Sequence, residues 1–183
     1  MTDDAVNDYV PVLETGRLLL RGWTLDDFEP LADFLADDEA NRYRGGGVGR
    51  ERAWMTLLEH AGGWALRGYG VFAVEERESE DLCGWAGLWH PASLEEPELC
   101  WSIFPEFSGR GYAPEAAGAA LVWWTQMEGQ PAPFSMMHPD HVASQRVAEK
   151  LGAERSDDIV FGDEPRRLFR HKVPDEAHWE RLS

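Results

Sequence analysis

Eight residues carry the clearest chemical signal in the chain. They read Ser108-Gly109-Arg110-Gly111-Tyr112-Ala113-Pro114-Glu115, between a tryptophan-containing apolar run and a run with helical periodicity. Gly109 and Gly111 open backbone conformations closed to other residues and let a ligand approach the chain closely. Pro114 suits a first helical turn, where its missing N–H would have no partner anyway. A glycine turn entering a helix gathers unpaired N–H groups at the positive end of the helix dipole, which makes an anion site. The alternative reading is that the glycines only turn the chain. No Gly-Lys-Ser/Thr ending and no GxGxxG spacing is present, so the turn is neither a nucleotide P-loop nor a dinucleotide fingerprint.

The charge of the chain sets a puzzle for such a site. Its 183 residues include 34 Asp and Glu against 17 Lys and Arg, a formal net charge of −17. That balance argues against nucleic acid and anionic membranes as partners, and it favours a cationic acceptor over an anionic one. It does not forbid a phosphate at the turn. Exposed carboxylates more than about 8 Å away are largely screened at physiological salt, whereas aligned N–H donors act in contact. The start MTDDAVNDYV lacks the basic and apolar regions of a signal peptide, and no 18-residue apolar stretch occurs, so a cytoplasmic protein is expected. Two cysteines, Cys83 and Cys100, fit a reducing compartment and have no zinc-like spacing, so no metal is expected.

The elements that position the turn follow from periodicity. Length and composition suit one domain, expected over residues 10–175 with terminal tails at 1–9 and 176–183. Arg17 to Arg21 reads as a strand, and Thr24 caps a helix on which Leu25, Phe28, Leu31, Phe34 and Leu35 recur. A second helix is predicted from Arg50 to Leu66 with Trp54, Leu57 and Leu58 on one side. "YGVFAVEE" is a strand, and "LCGWAGLWH" with "ELCWSIF" forms a hairpin. Placing Cys100 opposite residue 88 puts Trp85, Trp89 and Trp101 on one face. A helix from Pro114 to about Glu128, the strand "FSMMH", a helix ending with Gly152 as its C′ residue, and the strands "DIVFG" and "RLFRHKV" complete the order. The expected fold is α/β: a mixed, strongly curved sheet of six to seven strands flanked by about four helices. The segment "RYRGGGVGR" is read as a mobile lid near an acceptor.

These residues carry a family likeness. "ELCWSIFPEFSGRGYAPEA" resembles the strand, turn and helix of the GCN5-related N-acetyltransferases, the GNAT family. Their pyrophosphate loop runs Gln or Arg, two free positions, Gly, one free position, then Gly or Ala. Gly111 and Ala113 match its last two defined places, and Ser108 departs from the first. "HPDHVASQRVAEKLGA" and "LETGRLLLRGWTLDDFEPLADFL" resemble segments of the Rim-type branch, similar to enzymes that acetylate N-terminal alanines of ribosomal proteins.

The resemblance implies acetyl-CoA as donor and a primary amine, on a peptide or a small molecule, as acceptor. It implies that the pyrophosphate rests on N–H groups from Gly109 through Arg110, Gly111 and Tyr112 to Ala113, with the pantetheine between "CWSIF" and "FSMMH". Arg110 either touches phosphate or stands in solvent. Direct attack needs a base for the amine proton and an N–H donor for the thioester oxygen. Glu98 is the candidate base, an ordinary loop carboxylate being the alternative. The N–H near Ile103 is the candidate carbonyl donor. His90 and His138 are secondary candidates for proton relay. His141 stands where relatives carry Asn and is a candidate cofactor contact. Ala148 stands where many carry an acid-donating Tyr, which leaves Ser144 or water to protonate the departing thiolate. A homodimer is expected. The runner-up reading is a non-catalytic acyl-CoA-binding or regulatory domain.

Overall fold

The computed structural model describes residues 10–127 and 129–172. The tails expected at 1–9 and 176–183, and the last three residues of the expected domain, lie outside them. The elements run β1 (Leu13–Glu14), β2 (Leu18–Arg21), α1 (Phe28–Ala36), α2 (Arg50–Arg67), β3 (Val71–Glu76), β4 (Leu82–Trp89) and β5 (Glu98–Ile103). They continue with α3 (Tyr112–Gln126), β6 (Phe134–Met137), α4 (Val142–Lys150), β7 (Glu154–Arg155), β8 (Ile159–Phe161) and β9 (Glu164–Arg170). The nine strands form one open sheet in the order β1-β2-β3-β4-β5-β6-β9-β7, with β8 paired to β9. Only the β5–β6 pair is parallel. Seven strands are legible in the sequence. The two that are not, β1 and β7, are two residues long, too short for any period-two pattern.

Helices cover both faces of the sheet. Trp85 meets Phe34 of α1 and His60 of α2 on one face, at centroid distances of 5.4 and 5.7 Å. Phe72, paired with Ala86, meets Trp123 of α3 at 5.6 Å on the other. Trp124, its neighbour on α3, is 1% exposed and donates its indole N–H to the Pro131 carbonyl. The helix ends follow local chemistry. Asp27 accepts the Thr24 N–H at 2.8 Å ahead of α1. Gly152, at φ +76°, closes α4 with its N–H on the Glu149 carbonyl while the Ala153 N–H reaches Ala148, the Schellman pattern.

Three expectations about faces are corrected. The β4–β5 register pairs Gly87 with Cys100 and Ala86 with Trp101, one residue from the expected match. Because side chains alternate with period two, that single step turns Trp101 to the face opposite Trp85 and Trp89. The same step puts Glu98, Cys100 and Ser102 on the Trp85 face. Leu58 is 45% exposed, since α2 buries Ala53, Leu57, His60 and Trp64, a stripe that leaves its i+1 neighbour outside. Leu25 is 66% exposed because Leu25–Asp27 is a separate 3₁₀ turn, which breaks its phase with α1.

Candidate active site

A single break in the sheet organises the cleft. The β5–β6 ladder has one registered pair, Glu98 with Phe134, and past it side chains take over the strands' polar groups. Ser135 Oγ donates to the Leu99 carbonyl at 2.5 Å, and Glu98 Oε1 accepts the Met136 N–H at 3.0 Å. The cleft of about 1060 Å³ that opens there is lined by both strands, the glycine turn, the first turn of α4, and residues of α2 and the segment before it. Its wall resolves much of the charge puzzle. Six cations line it, Arg42, Arg44, Arg52, Arg146, Lys150 and Arg166, against the four carboxylates of Asp37, Glu39, Glu59 and Glu98. An acidic protein thus carries a cleft of the opposite balance.

At one end lies the glycine turn. Gly109 and Gly111 have φ of +79° and +84°, the left-handed region that glycine enters without penalty. Gly111 is the N-cap of α3, so the N–H groups of Tyr112 and Ala113 have no carbonyl one turn earlier in the helix. A buried carboxylate holds this turn. Glu115, 6% exposed, accepts the Arg17 Nε–H at 2.8 Å and the Arg17 backbone N–H at 3.1 Å, while Arg17 Nη1 donates to the Arg110 carbonyl at 2.8 Å. Side chains expected at the site face elsewhere. Arg110 donates to Glu76 at 2.9 Å and lies over Phe107, and the Tyr112 hydroxyl also bonds Glu76. Ser108 Oγ donates to the Phe104 carbonyl. At this end, then, the backbone faces the cleft.

At the other end stands Glu98, 6% exposed. Loss of hydration pushes its pKa up to about 8, opposed by the Met136 N–H and by Arg44 and Arg166. Cys100, next along the same face, is pushed up still further by burial. Ile103 ends β5 opposite Gly84 and lines the cleft. His90 is occupied elsewhere: its Nδ1 bonds the Tyr69 hydroxyl at 2.5 Å and its Nε2 bonds the Leu94 carbonyl. His138 accepts the Asp140 N–H and stacks on Tyr43.

The start of α4 completes the wall. His141 stacks on Tyr43 at 4.5 Å, and its Nδ1 lies 2.9 Å from Ser144 Oγ. Burial, then Arg44 and Arg42, lower its pKa to about 4, so it is neutral at physiological pH. Ala148 is fully buried in a small apolar cluster with Met137, Ala153 and Phe169 and offers no hydroxyl. The segment read as a lid lines the cleft through Arg42, Tyr43, Arg44 and Gly46 and is tied to α1 and the turn after it. Val48 N–H bonds the Leu35 carbonyl, Gly47 N–H bonds Asp38, and buried Asn41 donates to the Phe34 and Asp37 carbonyls.

Sequence pattern does not single out Arg17, Glu115, Tyr43 or Arg44. The only signal for the first two is an unexplained Arg at a strand start and an acidic residue in the turn's own motif. Among the described residues, no group of three or more His, Cys, Asp or Glu is arranged to hold a metal, and no helix is long and apolar enough to cross a membrane.

Comparison with known proteins agrees with this geometry. Residues 17–154 match the acetyltransferase (GNAT) domain model. The N-acetyltransferase YoaA of Bacillus subtilis, itself uncharacterized, is 26% identical over 148 residues, 79% of this chain and 84% of its own. A crystal structure of an acetyltransferase from Agrobacterium tumefaciens is 28% identical, covers 88% of this chain and 94% of its own, and superposes with a TM-score of 0.82. RimL, a ribosomal L7/L12 alpha-N-protein acetyltransferase, solved in complex with coenzyme A, shares the fold at a TM-score of 0.72 with 11% identity, covering 89% of this chain and 98% of its own. With its split parallel strands, its glycine-capped α3 and a family match across most of its length, the chain belongs to the GNAT acetyltransferase family.

Proposed function

We propose that the protein moves an acetyl group from acetyl-CoA to a primary amine by direct attack, with Glu98 receiving the amine proton. The GNAT family uses acetyl-CoA, and the cleft fits it on two counts. Positive-φ glycines and free first-turn amides form a cradle at α3, and past one β5–β6 pair the strands border an open cleft that could take the pantetheine. The donor supplies a thioester carbonyl: the new N–C bond forms as the C–S bond breaks, and the electron pair leaves on sulfur.

The protein's own groups then have defined roles. N–H groups from Gly109 to Ala113 bind the pyrophosphate by backbone donors rather than by Arg110, which Glu76 already holds. The Ile103 N–H is assigned to the thioester oxygen. The ionised Glu98 takes the proton of the attacking amine. Ser144, held by neutral His141, or water returns a proton to a thiolate whose parent thiol, with a pKa near 8.5, leaves readily.

The observation that carries this reading is Glu98 itself. A carboxylate buried where two strands part, facing a cleft and with a pKa near 8, matches a base required to work near neutrality. The demand on such a base can be quantified, since an α-amine of pKa about 8 needs about 1.4 kcal/mol of deprotonation at pH 7, and a lysine-like amine about 4.6. The test is an amine panel, peptide N-termini and small amines, scored by free-thiol release from acetyl-CoA. Acceptor-dependent thiol release that vanishes in Glu98→Gln at pH 7 supports the assignment. CoA binding without release on any amine would return the protein to the acyl-CoA-binding class.

A further inference from the structure

Arg44 lines the cleft without a carboxylate partner, unlike Arg21 and Arg110. Arg21 lies 2.8 Å from Asp27 and 2.7 Å from Glu75, and Arg110 lies 2.9 Å from Glu76. None of the ion pairs among the described residues includes Arg44. Its one polar side-chain contact is to Asn41 Oδ1, at 3.5 Å, the limit of a hydrogen bond. The guanidinium is held instead by aromatic rings, 4.9 Å from the Trp85 centroid and 5.8 Å from that of Phe34. A guanidinium lying over ring faces rather than against a carboxylate keeps N–H donors available for another acceptor.

The position is within the cleft. Arg44 lines it and is open to it, yet protein crowds its other sides enough to lower its pKa, the reverse of what its carboxylate-paired counterparts experience. It shares the Trp85 face with Glu98 and Cys100, and its charge is felt at both. Cys100 is two residues along β5 from Glu98, so about 7 Å separates their positions. Close by, His60 is 8% exposed, borders the same cleft, packs against Trp85, and has an Nδ1 with no partner among the described residues. A cation open to the cleft beside a buried imidazole nitrogen without a partner leaves donors there for a ligand's oxygen atoms.

We infer that Arg44 receives a carboxylate on the acceptor, so that the substrate class is a small amine carrying a carboxylate within several ångströms of its nitrogen, the amine at Glu98 and the carboxylate on the stacked guanidinium. The inference rests on the acetyl-transfer reading for its amine but not for its anion. It also revises the expectation of a purely cationic acceptor, because net charge describes the outer surface while recognition happens at a locally cationic wall.

Matched pairs of amino acids and their amides, assayed as acceptors and compared per unprotonated amine, test it. The wild type is expected to favour the acid at least tenfold in kcat/KM. Arg44→Gln should raise KM for the acids at least tenfold and for the amides less than threefold, with Arg44→Lys restoring part of the difference. A structural defect would raise both alike, and equal losses, or a preference for amides in the wild type, overturn the proposal. Calorimetric titration of the same acids into the CoA-loaded protein separates the two readings. Binding that Arg44→Gln abolishes, without turnover of any amine, sustains the carboxylate site while refuting acetyl transfer. Absence of binding to the wild type refutes the site.

Discussion

The two ends of the cleft are built from different materials. In the proposed reading the α3 end recognises the cofactor by backbone N–H groups, while the side chains of Arg110, Tyr112 and Ser108 bond Glu76 or the Phe104 carbonyl. In the same reading the β5 end would work through side chains whose properties exist only in the folded state: Glu98 with its pKa near 8, Arg44 over Trp85, neutral His141 on Tyr43. A backbone site is fixed by φ angles and depends little on pH. A side-chain site is fixed by burial and must titrate.

The largest expected effect lies at the titrating end. Glu98→Gln keeps an acceptor for the Met136 N–H and removes the base, so turnover at pH 7 should fall by about 10²- to 10⁴-fold, with partial recovery at alkaline pH where solution supplies neutral amine. A lysine-like acceptor should need a higher pH for rescue than a peptide α-amine. Initial rates on both acceptor types measure this.

The same substitution should act in the opposite direction on stability. The native pKa of Glu98, about 8, lies above its ordinary 4.5. The folded state therefore binds the extra proton between those values, and stability contributed by the neutral form is present below pH 4.5 and lost as pH rises through 8. The loss is on the order of 4 kcal/mol. Chemical denaturation at pH 5 and pH 9 should show the wild type losing stability across that interval relative to Glu98→Gln. Equal pH dependence of the two proteins would mean that the carboxylate is hydrated.

At the backbone end, Gly111→Val is expected to weaken CoA binding about 10- to 100-fold with the fold intact by circular dichroism. A β-branched residue is strained at φ +84°, and relief of that strain moves the N–H groups off their common point. A smaller effect separates the cradle from its support. Arg17→Ala frees the Arg110 carbonyl and half-uncouples buried Glu115, and should reduce CoA affinity about three- to fivefold by calorimetry. A loss as large as that of Gly111→Val would make the side chain, not the turn, the principal determinant.

Legibility in the sequence follows the same division. Gly109, Gly111 and Pro114 announce a tight turn into a helix, which the positive φ angles and the Gly111 N-cap bear out, and the apolar periods of β3, β4 and α3 mark the elements around it. Glu98 becomes a candidate through its resemblance to the family's strand, but its burial and altered pKa come from the break after one β5–β6 pair, a tertiary event with no local signature. Arg44 is hidden for the same reason: nothing in "RYRGGGVGR" tells that Trp85 lies beneath it. The face of Trp101 hangs on one residue of register, which the eight-residue hairpin connection does not specify.

The most direct test of the central claim is the pH dependence of kcat/KM, measured from pH 6 to 10 with saturating acetyl-CoA and an acceptor whose amine pKa is known independently. The wild type should show, besides the limb of the amine, a second rise with an apparent pKa near 8, and Glu98→Gln should retain the amine limb alone at much reduced rate. A wild-type profile explained wholly by the amine, or an unchanged second limb in Glu98→Gln, would contradict the assignment of Glu98 as the base.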